Sequence, residues 1–342
     1  MPVLRDEPLA RHTSFRLGGA ARSFIECTTD AELIEAVAAA DDDALILGGG
    51  SNVLVADGVI DRPVIAVRTS GVTVAVDACA GAWVTVAAGE TWDALVERAV
   101  GEGWRGIEAL SGIPGLVGAT PIQNVGAYGQ EVAGTVARVR AFDRQAKSVV
   151  TIAGPDCGFD YRWSMFKAEP GRYVVLDVAF QFKLGDRSEP VRYAELARTL
   201  GVAEGERAAL SDVRSAVLEL RGSKGMVLDD ADHDSWSAGS FFLNPVVENG
   251  FPLPDGAVTF PQTDGRMKVS AAWLIGAAGF ERGFALEGSA AGISTKHALA
   301  LTNRGGASAA DVLALARVVR GGVRERFGIT LEPEPLLIGC AL

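Results

Sequence analysis

Cysteine and histidine are scarce. The four cysteines, Cys27, Cys79, Cys157 and Cys340, contain no CxxC pair, and His12, His233 and His297 share no helical spacing. A chain so poor in both carries no disulfide framework and no signature of a zinc or iron centre. Four reduced thiols in a reducing compartment are the expectation. Long apolar runs are missing too: none approaches the ~20 residues that cross a bilayer, and the start, MPVLRDEPLARHTSF, lacks the charged-then-apolar order of a signal peptide. The expected location is the cytoplasm, with no membrane partner. Basic residues are outnumbered, 32 Lys+Arg against 43 Asp+Glu for a net charge of −11. That leaves no broad basic face for nucleic acid. An anionic ligand would need a local cluster of cations in a cleft.

What the chain has in quantity is glycine, 41 residues gathered into a few loops. Clustered glycine marks backbone brought close to something, or positive φ in tight turns. At 342 residues the chain exceeds one ordinary core. Strands are predicted at 21–28, 44–47, 53–55, 63–67, 72–76, 83–88, 136–143, 148–152 and 173–182, and a strand-like end at 331–338. Helices are predicted at 30–41 with Asp30 as N-cap, and at 92–102, 193–200, 210–221, 271–277 and 309–327. The segment 240–247 and pieces of 292–303 also read as extended. Boundaries near 70 and 222 divide this α+β pattern.

Five stretches carry chemistry. Leu47–Val55, LGGGSNVLV, is a strand running into three glycines whose backbone N–H groups can cradle a pyrophosphate. It is not GxGxxG, and no acidic residue follows at the right distance, so a standard dinucleotide Rossmann site is disfavoured. Ser111–Val132, SGIPGLVGATPIQNVGAYGQEV, is a second glycine-rich segment, punctuated by Gln123, Asn124 and Tyr128. Two such loops suit a long, two-part cofactor. Tyr161–Lys167, YRWSMFK, alternates cations and aromatics, which by itself reads as a strand with stacked surface side chains. The fourth, Arg221–Val247, opens with Arg221 and Lys224 one helical turn apart, a spacing that can hold a phosphate, and also contains Ser240. Ser240 in AGSFF sits among bulky apolar neighbours, where a hydroxyl can act as a proton donor. No GxSxG elbow or Ser-His-Asp set accompanies it. Glu334 lies between two prolines that fix an extended backbone and aim its carboxyl group.

In order and wording these stretches resemble the UDP-N-acetylenolpyruvoylglucosamine reductase family. HTSFRLGG (12–19), LGGGSNVLV, SGIPGLVGATPIQNVGAYGQE, YRWSMFK, AGSFFLNPVV, KVSAAWLIGAAGF (268–280), KHALALTN (296–303) and LEPEP carry the resemblance over nearly the whole chain. It implies an α+β fold of the vanillyl-alcohol-oxidase (PCMH) type. Two FAD-binding α+β subdomains are expected, 1–70 (joined by the C-terminal strand 331–342) and 71–221, with a C-terminal substrate-binding α+β domain at 222–330. It also implies non-covalent FAD, NADPH as hydride source, UDP-N-acetylglucosamine enolpyruvate as substrate, and a monomer.

Carried over position by position, the resemblance makes Arg162, Ser240 and Glu334 the catalytic trio. Hydride would pass from NADPH to FAD and on to C3 of the enolpyruvyl ether. Arg162 and a protonated Glu334 would stabilise the charge that builds over C2 and the carboxylate, and Ser240 would deliver the proton to C2. Gly48, Gly49, Gly50, Ser51, Asn52, Ile113, Gly115, Ala119, Thr120, Asn124, Gly126 and Ala127 would contact FAD. Lys224 would bind the substrate diphosphate, with Gln123, Tyr128, Tyr161, Tyr193, Asn244 and His297 as further substrate contacts, Tyr193 on a loop that folds over the nucleotide. No metal is expected. Two departures stand out: Pro335-Leu336 replaces the family's frequent Val-Arg after the glutamate, and 225–235 is rich in aspartates, which should face solvent. Two alternatives stay open. A flavin oxidase of the same fold is disfavoured by the absence of histidine in Gly48–Asn52. A nucleotide-sugar-binding protein without turnover is disfavoured by the intact trio.

Overall fold

The computed structural model describes residues 1–40, 43–262 and 264–342, which form two compact units. The first comprises Met1–Asp6, Arg22–Gly49 and Asp61–Gly222, and the second Glu7–Ala21, Gly50–Ile60 and Ser223–Leu342. Both mix helices and strands, so the α+β class expected from the sequence is the one observed.

The first unit is organised by the twelve-residue strand Tyr173–Leu184, whose centre is buried residue after residue. Such continuous burial needs cover on both faces. Val136–Asp143 and Gly81–Ala87 flank it antiparallel, with Ser148–Ala153 and Val72–Asp77 outside them. Helix Trp92–Gly101 buries Trp92, Leu95, Val96 and Ala99, an i, i+3, i+4, i+7 stripe that faces this core. Trp92 meets Phe180 with ring centroids 6.0 Å apart. A smaller sheet, in which Ala20–Cys27 and Leu45–Leu47 flank Val64–Val67 in parallel, leads into the first glycines. Its outer strand Val3–Pro8 had no counterpart in the sequence reading.

Helix Asp30–Ala39 corrects the expected cap. Thr29, not Asp30, is the N-cap, and it closes a capping box with Glu32. Asp30 instead bonds Arg140. The predicted helix end at Asp41 lies outside the described residues.

In the second unit, helix Ala309–Phe327 starts at a Ser308–Asp311 capping box and stops at left-handed Gly328. It buries Val312, Leu313, Ala316, Val319 and Val323 in a core shared with Phe15, Leu54, Phe241, Phe242 and Leu274. The closing strand Leu336–Ile338 runs parallel to Val53–Val55. Only Val246–Val247 of the extended stretch at 240–247, and only 336–338 of that at 331–338, form regular strands. The rest pair through single bonds described below. No helix among the described residues is long and apolar enough to cross a membrane.

Candidate active site

In the first unit the two glycine-rich segments meet. A Cβ on Gly49 would lie 2.8 Å from Gly115 Cα, so only glycine allows this approach and the edge is bare backbone. Arg68 donates to the Gly48 carbonyl at 3.2 Å, setting a positive charge beside the loop. The second segment is tied to the turn before helix Trp92–Gly101: Trp92 N donates to Gly115 O, Val117 N to Glu90 O and Gly118 N to Ala88 O. Asp93 accepts from Gly112 N at 2.6 Å and takes a bidentate pair from Arg214. Burial pushes the Asp93 carboxyl up, but these bonds outweigh it and hold the group below its ordinary value. The exposed backbone cradle and its adjacent cation fit a pyrophosphate, as an FAD site requires.

Beyond the cradle the segment turns back on itself. Gly126–Ala127 pairs with Gln130–Glu131 as a short hairpin. Asn124 is 1% exposed with φ of 47°. Its amide donates to Glu131 at 2.8 Å and to the Asp160 carbonyl at 3.1 Å, and its oxygen accepts from Ala133 N at 3.1 Å. The side chain thus works on the protein's own frame. Thr120 is also buried and donates to Val117 O, whereas Ala119 is exposed and Ile113 half-buried.

Tyr161 and Arg162 are not on a strand. Asp160 and Trp163 exchange both backbone hydrogen bonds, and the two residues between them form a tight turn with Arg162 at φ 52°. Positive φ at the second of two central residues is the type II pattern, costly for a side-chain-bearing residue. The turn is held: the Arg162 guanidinium donates to Gly126 O at 2.8 Å, Lys167 Nζ donates to Arg162 O at 2.9 Å, and Ser164 caps helix Met165–Ala168 while bonding Ile122 O. Tyr128, also at positive φ, packs edge-on against Tyr193 with ring centroids 5.3 Å apart. Burial pushes the Tyr128 phenol up to about 12. Tyr193 is 44% exposed, at the N-cap of helix Ala194–Leu200. Gln123 is half-buried on the same segment.

The second unit carries the other expected residues. Phe241 O accepts from Glu334 N at 2.9 Å, Leu243 N donates to Glu332 O at 3.0 Å, and Phe242 bridges Pro333. Ser240 and Glu334, 94 positions apart in sequence, therefore sit on adjoining backbone. Asn52 fixes the glutamate's other side, donating to Glu334 O at 3.4 Å and accepting from Leu336 N at 3.0 Å. Gly50 has φ of 61°, and a Cβ there would lie 1.8 Å from His12 O. Ser51 follows it, half-buried. Asn244 accepts from Ala271 N, at the start of helix Ala271–Ala277, and His297 N donates to Ser294 Oγ.

Lys224 follows helix Leu210–Ser223 and is half-buried beside Gly225. The aspartates after it depart from the expected exposure. Asp229 and Asp230 face solvent, with Asp230 paired to Arg16, but Asp232 and Asp234 are half-buried. Asp232 pairs with Lys296 at 2.7 Å, and Asp234 accepts from Thr295 N at 2.8 Å. Both find partners on the 294–297 loop, which offset the cost of their partial burial.

Residues 21–151 match a family described as FAD binding domain, and residues 230–338 match the C-terminal domain of UDP-N-acetylenolpyruvoylglucosamine reductase. The reductase of that name from Cutibacterium acnes is 57% identical over 341 residues, covering 98% of this chain and 90% of its own. That of Streptomyces coelicolor is 50% identical over 355 residues, covering 99% and 91%. The chain belongs to the UDP-N-acetylenolpyruvoylglucosamine reductase family. It is an oxidoreductase with an FAD-binding domain. The crystal structure of the reductase from Thermus caldophilus aligns with 99% of both chains at 27% identity and a TM-score of 0.68.

Several residues that build the site had no role in the sequence reading. Ser14 accounts for the HTSFRLGG stretch: its N–H donates to Gly50 O and its hydroxyl to Ser237 O at 2.6 Å, joining the first glycine loop to the approach to Ser240. Asn303, closing KHALALTN, donates to Phe15 O at 3.1 Å. Asp93 and Arg68 lay outside any quoted motif. Their signal was a charged residue at an otherwise apolar or glycine-rich position, which sequence alone cannot separate from surface charge.

Proposed function

We propose that this chain catalyses the NADPH-dependent reduction of UDP-N-acetylglucosamine enolpyruvate to UDP-N-acetylmuramate in the cytoplasm, supplying a peptidoglycan precursor. The observation that carries the reading is the pairing of 241–243 with 332–334, which sets a serine hydroxyl and a glutamate carboxyl on adjoining backbone. Bound FAD supplies the two-electron store that links donor and acceptor. The residues supply the rest. Lys224, a point charge after a helix end, binds the diphosphate. Arg162, already aimed by its turn and by Gly126, stabilises the negative charge that develops over the enolpyruvyl carboxylate. Ser240 gives its proton to C2, and Glu334, protonated, adds a second donor to the same developing charge. Preorganisation matters more than proximity here, since donors already oriented need no rearrangement as charge appears.

An anaerobic visible spectrum tests this. Flavin should bleach with NADPH and recover with UDP-N-acetylglucosamine enolpyruvate. Ser240→Ala should bleach normally and recover at least ~100-fold more slowly, the range for losing a positioned general acid. Bleaching without recovery in the unmodified protein would sink the substrate assignment, and equal slowing of both steps would remove Ser240 from proton delivery.

A further inference from the structure

Glu108 has no exposed surface, and none of the roles above uses it. It opens the short turn Glu108–Leu110, and its two oxygens serve different elements. Oε2 accepts from Gly106 N at 2.6 Å. Oε1 accepts from the Gln130 side-chain amide at 2.8 Å and from the Glu189 backbone N–H at 2.8 Å. Gln130 closes the ring by accepting from Ala109 N at 2.8 Å. A buried group bonded in this way is rigid, because each bond broken leaves a polar atom without water to replace its partner.

Each arm leads to a residue of the proposed site. Gln130 and Glu131 pair in register with Ala127 and Gly126, and Gly126 O receives the Arg162 guanidinium. Glu189 lies four residues before Tyr193. The backbone on either side of Glu189 is anchored by Ser188 N to Ala208 O and Val191 N to Glu206 O, both 2.8 Å.

We propose that Glu108 is a positioning residue for the reaction proposed above, on which this inference rests. It ties the hairpin that aims Arg162 to the segment that presents Tyr193. Only an acceptor on both oxygens can do this. A glutamine at 108 turns a donating NH2 toward either Gly106 N–H or the Gln130 and Glu189 donors.

The test compares unmodified protein, Glu108→Gln and Gln130→Leu, each loaded with FAD. Anaerobic stopped-flow follows flavin reduction by NADPH and reoxidation by UDP-N-acetylglucosamine enolpyruvate, while calorimetry gives the Kd for UDP-N-acetylmuramate. Gln130→Leu cuts only the hairpin arm. It should slow the limiting reoxidation rate about tenfold, a misplacement-sized effect, with Kd and NADPH reduction within about twofold. Glu108→Gln sets its NH2 against a donor on whichever oxygen it replaces, loosening the side chain that both arms share, and should also raise Kd about tenfold through the Tyr193 segment. If Glu108→Gln does not fold, Gln130→Leu decides alone. Normal reoxidation in the folded variants, or equal loss in both half-reactions, overturns the positioning role. If the unmodified protein itself is not reoxidised by this substrate, the proposed reaction falls instead.

Discussion

Asn124 commits its side chain to the protein's own frame. Buried to 1%, it spends its amide on Glu131 and Asp160 and its oxygen on Ala133, and so spaces the hairpin from the turn that carries Arg162. Asparagine tolerates φ near 47° better than most residues, and its carboxamide alone offers two donors and an acceptor at that length. Asn124→Ala therefore loses three hydrogen bonds and keeps an unfavourable backbone angle. The expected cost is about 3 kcal/mol from the bonds alone, read as a lowered urea midpoint with unchanged slope. Asn124→Gly relieves the angle and should be less damaging. If alanine and glycine cost the same, the backbone angle contributes nothing, and if both cost under about 1 kcal/mol the bonded frame is not what holds the turn.

Elements show where sequence reasoning works and where it fails. The stripe Trp92, Leu95, Val96, Ala99 and the long helix 309–327 were legible because helical periodicity is local and repeated. The cap at Thr29 was misplaced by one residue because Thr-Asp-Ala-Glu offers two side chains that can cap. What decides is that only Thr29 stands three before Glu32 and completes the reciprocal bond. Thr29→Ala should then lower stability by about 1 kcal/mol, whereas Asp30→Ala should leave the cap intact and act only through Arg140. Denaturant unfolding of the two variants separates these, and a larger loss at 30 through restored helix fraying would reverse the assignment. The stretches 240–247 and 331–338 read as extended in the sequence, yet most of each lies outside regular strands. Their partners are each other, far away in sequence, and the pairing is too short to form a ladder. The turn at Tyr161–Arg162 was illegible for a related reason: nothing local forces positive φ on an arginine. It is imposed by Asn124, Gly126 and Lys167. The candidate site residues themselves were legible only through family wording, since single signals such as Gly-Gly-Gly or Glu-Pro have several structural uses.

For the whole molecule, charge and burial set a stability window in pH. The carboxyls of Asp143, Asp93 and Asp234 are held below their ordinary values. At Asp143 the Arg172 bonds are the main cause. At Asp93 and Asp234 burial acts the other way and is outweighed by Arg214 and Thr295 respectively. A carboxyl with a depressed folded pKa stabilises the fold above its unfolded value of about 3.9, and that contribution disappears as pH falls through the folded pKa. Between pH 7 and the sequence pI near 4.9 the net charge of −11 shrinks, which relieves self-repulsion without protonating these groups. On the alkaline side, burial pushes Cys27 up to about 11 and Cys157 to about 12. Raised thiols stabilise below their unfolded value of about 8.5, and this is lost as pH climbs toward 11 and 12. The melting temperature should therefore hold or rise slightly from pH 7 to about 5, fall steeply below about 4, and decline again above about 9. Asp143→Asn should lower the plateau and flatten the acid limb, because the variant has lost the proton-linked part of its stability in advance. A melting temperature that already drops between pH 7 and 5 would mean that repulsion among the surface carboxylates is not limiting.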